Sequence, residues 1–250
     1  MSEADPFKVE RNLTATHMSL EEYFSTVGGI TAIVGVVILL IATLLHPLDA
    51  HPGDAPAAFA EYAADRFWVA THLGQLFGVV LIGGGLVSLS WRLRRGRAGM
   101  WAILGAVGAL ASISLAGALQ AVDGVALKIM VERWSNAAPE LQPLLFETAF
   151  AVRQIEVGLA SVMGLLFGLT AVLYGGALLS SEEGPNWLGV LGIVGGAATM
   201  ASSIVQAHTG FSDVAMAVSM PSSLVLLLWT TLVGVFLLRS SRLRVNRDAA

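Results

Sequence analysis

Residues 27–45 read VGGITAIVGVVILLIATLL, a run without a single charged side chain. A helix of this length rises about 28 Å, close to the hydrocarbon thickness of a bilayer, about 30 Å. Five further runs are comparably apolar. With the first run, the six candidate membrane spans are Val27–Leu45, Phe67–Leu89, Met100–Val122, Val157–Leu179, Trp187–Val205 and Val218–Leu238. The sequence therefore predicts an all-α fold, a polytopic membrane helical bundle with six transmembrane helices.

The composition agrees with this class and excludes several functions. Hydrophobic residues make up 55% of the chain and charged residues 13%, with a mean hydropathy of +0.73, outside the range of soluble domains. There is no cysteine, which excludes disulfides, thiolate metal sites and cysteine nucleophiles. The net charge of −4 is dispersed and indicates no nucleic-acid partner. Glycine pairs four residues apart predict close helix contacts; they are Gly74/Gly78, Gly164/Gly168 and Gly192/Gly196.

The lysines and arginines predict the orientation, because cytoplasmic flanks retain them. With both termini cytoplasmic, ten basic residues lie inside: Lys8, Arg11, Arg92, Arg94, Arg95, Arg97, Arg239, Arg242, Arg244 and Arg247. Four lie outside: Arg66, Lys128, Arg133 and Arg153. The first residues show no signal-peptide pattern, so we expect the first apolar run to be retained. We divide the chain into a cytoplasmic segment 1–26, a six-span domain 27–238 with outer loops 46–66 and 123–156, and a basic cytoplasmic tail 239–250.

Both outer loops predict short helices. In the first, Asp54 is suited to cap a helix over Ala57–Asp65, with Pro56 in its first turn. In the second, apolar and charged residues alternate over residues 125–134, which indicates an interfacial helix. Pro143 follows, and a fourth helix that starts there would extend well beyond the membrane.

Polar side chains that would be costly in lipid lie on the predicted outer side of the spans. The candidate ligand-binding residues are His72, Gln75, Gln120, Asp123, Arg153, Glu156 and Gln206. His72 lies five positions into the second span, and it either bonds to a neighbouring carbonyl or binds a metal or proton. Arg153 and Glu156, spaced i, i+3, either satisfy each other or join Asp123 and Lys128 in a network across helices.

A metal site would have to be assembled from single histidines. The candidates are His46, His72 and His208, with His51 as a weaker fourth. No HExxH, P-loop, GxGxxG or GxSxG motif is present, so ATP- or nicotinamide-dependent chemistry is not expected.

Two short stretches resemble an uncharacterised family of bacterial multi-pass membrane proteins that carry a domain of unknown function. They are residues 53–58 (GDAPAA), which lead through Arg66 and Phe67 into a span, and residues 185–191 (PNWLGVL). The resemblance implies a helical bundle of the bacterial inner (plasma) membrane. It implies no activity and no catalytic residues.

These observations leave several functions open. The first is a binding protein whose outward pocket, polar at its rim, takes a small amphiphilic or isoprenoid-like ligand, with membrane lipids as the other partners. The second is a redox protein that holds haem or copper, which requires two histidines facing each other across neighbouring helices. The third is an intramembrane enzyme with Glu156 or Asp123 as a general acid. A purely structural subunit is a further alternative, whereas a transporter is disfavoured because the middles of the spans are apolar.

Overall fold

The structure is a computed structural model that describes residues 19–47 and 49–248, with side chains as far as residue 241. In that part of the chain every regular element is helical: α1 (Leu20–Leu44), α2 (Ala55–Ala64), α3 (Trp68–Arg92), α4 (Ala98–Gln120), a π-helical segment (Ala121–Leu127), α5 (Lys128–Ser135), α6 (Gln142–Leu179), α7 (Asn186–Thr209) and α8 (Asp213–Asp248). Lys8, Arg11 and most of the predicted segment 1–26 lie outside the described residues, as do the side chains of Arg242, Arg244 and Arg247.

Within the described part of the chain, six helices are long and apolar enough to cross a membrane, which agrees with the predicted number of spans and indicates a multi-pass membrane protein. Their bounds are wider than hydropathy predicted. The first helix begins at Leu20 because Ser19 and Glu22 form a capping box: the Glu22 backbone N–H donates to Ser19 Oγ at 3.2 Å, and the Ser19 N–H donates to Glu22 Oε2 at 2.8 Å.

A helix is present over most of residues 125–134, where one was predicted, but it is not separate from the preceding span, and the predicted outer connection 123–156 is largely helical. The chain runs from Ala98 to Ser135 as one continuous helical element, and only residues 136–141 interrupt it before α6. The long fourth helix is confirmed: α6 has 38 residues with Pro143 in its first turn, a length of about 57 Å. The predicted tail 239–250 continues α8 to Asp248. Hydropathy marks where a helix leaves lipid, not where it ends.

The short helix predicted over Ala57–Asp65 in the first outer loop is confirmed, and it extends over Ala55–Ala64. Asp54 caps α2 by accepting the Ala57 N–H at 3.3 Å, and Pro56 occupies the first turn. The helix packs its buried Phe59 and Tyr62 against Trp68, against Leu127 and against residues of α5 and α6.

The six long helices form a closed ring in which each contacts its two neighbours, in the order α1, α3, α4, α6, α7, α8 and back to α1. All six contribute to one buried apolar core, which includes Tyr174 and Trp229. The helices approach closely at glycines, as predicted: a Cβ on Gly168 would lie 2.6 Å from the Gly196 carbonyl oxygen, and one on Gly78 would lie 2.9 Å from that of Gly35.

Successive helices run in opposite directions, so the turns gather at two ends. Residues 46–67, 120–156 and 206–213 form what we call the polar end. Residues 92–98 and 180–185 form the arginine end. The polar end holds the candidate site residues apart from His72 and Gln75, which lie in the adjoining first turns of α3.

Candidate functional site at the polar end

Four aromatic side chains pack against one another with tilted rings at the polar end, in a group that we call the aromatic stack, and bring three elements together. The indole of Trp68 lies with its ring centroid 4.3 Å from Tyr62 of α2 and 4.4 Å from His72, one turn further along α3. The ring of His46, just beyond α1, lies 4.8 Å from Trp68 and 5.2 Å from His72. Trp68 and His72 are each only 1% exposed. The sequence singled out the two histidines but gave no sign that Trp68 and Tyr62 hold them.

His72 uses both ring nitrogens. Its Nδ1 lies 2.7 Å from the Trp68 carbonyl oxygen and its Nε2 lies 3.0 Å from Asp123 Oδ2. A carbonyl oxygen only accepts, so Nδ1 carries a proton and donates it. The contact with Asp123 then holds one shared proton, either on Nε2 beside a carboxylate or on the carboxyl group. Either way the pair carries no net charge, which makes its burial tolerable.

The π-helical segment positions Asp123. Because the wider turn shifts the register of the helix, the Asp123 carbonyl accepts the Trp68 Nε1–H at 3.1 Å while its side chain reaches His72. Gly124 lets the two helices meet here, since a Cβ at that position would lie 2.6 Å from His72 Cβ. Helical periodicity assumes 3.6 residues per turn, so sequence reasoning missed this insertion.

Arg153 and Glu156 are both 5% exposed and form the predicted pair, with Arg153 Nη1 3.6 Å from Glu156 Oε2. Arg153 also donates to the Tyr62 hydroxyl at 3.2 Å and to the Pro52 carbonyl at 3.1 Å. The guanidinium therefore ties α6 to the first outer loop and to α2, a role that the spacing of the pair did not reveal.

Lys128 does not join the predicted charge network. Its Nζ donates to the carbonyl oxygens of Tyr62, Ala63 and Asp65 at 2.8, 2.9 and 2.7 Å, and it lies 3.1 Å from Glu132. These carbonyls end α2, where the helix dipole is negative. Lys128 thus fastens α2 over the aromatic stack.

His46 is half-buried and lies outside the spanning helices. Its Nδ1 lies 2.8 Å from the Pro47 carbonyl oxygen, so Nδ1 carries the donated proton. Burial lowers the pKa of His46, with a smaller contribution from neighbouring His72, while the bond to Pro47 opposes the shift. A neutral His46 with a protonated Nδ1 presents Nε2 as a hydrogen-bond acceptor.

Four oxygen atoms at the polar end are buried without a hydrogen-bond partner among the described residues: Asp65 Oδ2, Gln120 Oε1, Asp123 Oδ1 and Glu156 Oε2. Gln120 donates its amide N–H to Gln75 Oε1 at 3.2 Å, which pairs these two candidates across α3 and α4. Native proteins leave few buried acceptors unsatisfied.

Gln206 and His208 are not drawn into the cluster. Gln206 is half-buried and His208 is exposed, and in the described part of the chain neither side chain makes a hydrogen bond, an ion pair or a ring contact. His51 is also apart: its Nε2 lies 2.8 Å from Asp213 Oδ1 at the start of α8, with both side chains largely exposed.

The histidines fit a metal site only in part. His46 and His72 face each other, as the redox hypothesis requires. However, three of their four ring nitrogens are already hydrogen-bonded. Among the described residues, no group of three or more His, Asp or Glu side chains is placed to hold a metal ion.

An apolar groove of about 420 Å³ lies between α1 and α3, within the range of about 300–1,000 Å³ for small-molecule sites. It is lined by Ile38, Ile41, Ala42, Leu45, Phe67, Ala70, Thr71 and Gly74. Three of these are direct chain neighbours of the aromatic stack: Leu45 precedes His46, Phe67 precedes Trp68 and Thr71 precedes His72. The groove is therefore built on residues that flank the polar cluster in the chain, although no side chain of the cluster lines it.

Comparison with protein-family models, with curated proteins and with solved structures found no match to this chain. The resemblance to a bacterial multi-pass family stays a prediction, and function has to be argued from the site itself.

Proposed function

We propose that this protein binds a small amphiphile, with the apolar part in the groove between α1 and α3 and the head group at the cluster of His46, His72 and Asp123. The protein resides in the bacterial inner membrane with both termini cytoplasmic, so the polar end faces outward. The arginines near the opposite end support this orientation.

The observation that carries the proposal is that the apolar groove and the polar cluster are built on adjacent residues at the end of α1 and in the first turns of α3. Leu45 and Thr71 line an apolar cleft, and the next residues in the chain, His46 and His72, belong to the polar network. An amphiphile has the same division into an apolar tail and a polar head.

The apolar groove and the polar cluster contribute differently to the free energy of binding. Lipid tails are as apolar as the groove, so an apolar ligand gains little hydrophobic free energy by leaving the bilayer. The groove then selects shape, and the polar cluster supplies most of the preference for one head group over another. Hydrogen bonds in a site without water discriminate strongly between head groups, because a polar group that finds no partner in the protein cannot bond to water instead.

The test is quantification of amphiphiles extracted from the purified protein, compared with a groove-filling variant. Ala70→Phe places a ring in the groove, whereas Val69→Phe places the same ring at a neighbouring exposed position of α3 that does not line it. Wild type and Val69→Phe should retain about one molecule of a particular amphiphile per chain, and Ala70→Phe should lose it. Identical extracts from all three proteins would refute the proposal.

A redox protein is the second candidate, on the single observation that the His46 and His72 rings lie 5.2 Å apart. Haem or copper bound there would require His72 Nε2 to exchange Asp123 for the metal. Elemental mass spectrometry of the purified protein checks this: stoichiometric iron or copper that is lost in His72→Gln would favour it, and trace metal in both proteins would remove it.

A further inference from the structure

Several hydrogen-bond acceptor atoms of the polar cluster have no protein donor directed at them. Asp123 Oδ1 and Glu156 Oε2 have no hydrogen-bond donor among the described residues, and Glu156 is buried. His46 Nε2 adds an acceptor, because the proton of that ring is given to the Pro47 carbonyl oxygen.

The strong donors nearby are directed elsewhere. Lys128 gives its ammonium protons to carbonyls at the end of α2. Arg153 binds the Tyr62 hydroxyl and the Pro52 carbonyl, and its closest approach to Glu156 is 3.6 Å, which is beyond hydrogen-bond length. The acceptors therefore suit a donor that arrives with a ligand.

The Tyr62 hydroxyl is a hydrogen-bond donor of the cluster that a ligand can use. The Tyr62 oxygen accepts from Arg153, and its own O–H makes no hydrogen bond to a described residue. Burial raises the pKa of Tyr62, against the opposing effect of Arg153, so the phenol keeps its proton. A head group that both donates and accepts would satisfy the two sides of the cluster.

On this basis, which rests on the proposed function, we infer that the head group is an uncharged hydroxyl, so that the ligand is an amphiphilic alcohol. A quinone, an ether or an ester only accepts, and would leave the unpartnered acceptors unsatisfied. An ammonium group would bring a second positive charge beside Arg153 in a region of low dielectric. A phosphate would bring further negative charge to Asp123 and Glu156.

The experiment compares two probes that differ only in the donor: farnesol and farnesyl methyl ether. Binding is measured with full-length protein in phosphatidylcholine nanodiscs, by displacement of tritiated farnesol and with empty nanodiscs subtracted. Phosphatidylcholine carries no hydrogen-bond donor in its head group, so the surrounding lipid does not compete for the acceptors. We expect farnesol to bind at least tenfold more tightly than the ether.

His46→Phe removes one acceptor and keeps an aromatic ring in the stack. It should lower the affinity for farnesol several-fold more than the affinity for the ether, and the ether binding that remains shows that the variant is folded. His208→Phe makes the same replacement at an exposed histidine outside the cluster and should behave as wild type.

Two results would separate the inference from the proposed function. Equal affinity for both probes would overturn the hydroxyl inference and leave amphiphile binding standing. Binding of neither probe above the level of the Ala70→Phe variant would overturn the proposed function itself.

Discussion

The most informative perturbation of this fold is Lys128→Met, because one side chain fastens α2 to the bundle. Lys128 is 8% exposed and donates to three carbonyls at 2.7–2.9 Å. Methionine has a similar length and fills the same space, so the substitution removes the ammonium group without creating a large cavity.

The magnitude follows from those three bonds. Hydrogen bonds to a charged group contribute about 1.5–3 kcal/mol each, and at the lower limit the three together contribute about 4–5 kcal/mol. The freed side chain regains about 1–2 kcal/mol of conformational entropy. Lys128 therefore contributes about 3 kcal/mol to holding α2 in place, and its loss should raise the population with α2 undocked roughly 100-fold.

Hydrogen exchange measured by mass spectrometry on the protein in nanodiscs reports this directly. Amides of residues 55–64 should exchange about 100-fold faster in Lys128→Met, whereas those in the core of α6 and α7 should be unaffected. Arg133→Met removes the same charge from an exposed position of α5 and should match wild type. Unchanged exchange of residues 55–64 in Lys128→Met would show that the apolar contacts of α2 alone keep it docked, and would refute the reasoning.

Two further predictions concern the aromatic stack. Gly124→Ala should destabilise the protein by about 1–3 kcal/mol in reversible unfolding, because its Cβ would lie 2.6 Å from His72 Cβ. In the control Gly117→Ala, on α4, the Cβ meets no atom within 4 Å, so this variant should be neutral or more stable by up to about 1 kcal/mol. Equal effects of the two substitutions on stability would contradict the close contact at Gly124. Since the folded-state pKa of His46 lies below its usual value, this residue contributes stability above about pH 6.5 that is lost as the pH falls. Thermal midpoints from pH 7.5 to pH 5.5 should therefore fall further for wild type than for His46→Gln, and parallel curves would argue against a buried neutral ring.

Most of the fold could be predicted from the hydropathy of the sequence. The number of spans follows from six runs that are each long enough to cross the hydrocarbon, and the cap at Asp54 and the proline at 143 predicted α2 and the length of α6. The same measure failed over residues 123–135, because a helix that leaves the membrane becomes polar without ceasing to be a helix.

The site was predicted only in part. His72, Asp123, Arg153 and Glu156 could be selected because ionisable groups near lipid are costly, and the i, i+3 spacing predicted one ion pair correctly. Gln206 was selected as a polar side chain at the same end of its span, yet it lies apart from the cluster. Sequence position gives the depth of a residue in the membrane but not which neighbouring helix it faces.

The sequence by itself determined that this chain is a six-helix membrane protein with its polar side chains at one end, because the transfer of apolar and charged groups into lipid depends only on residue type and run length. Only the tertiary structure decided that the six helices close into a ring. The ring sets Trp68 and Tyr62 beside the two histidines and, through the π-helical segment, places Asp123 against His72. The contacts of Asp123 with His72 and Trp68 join residues 51 and 55 positions apart, and they depend on backbone geometry that no local pattern encodes.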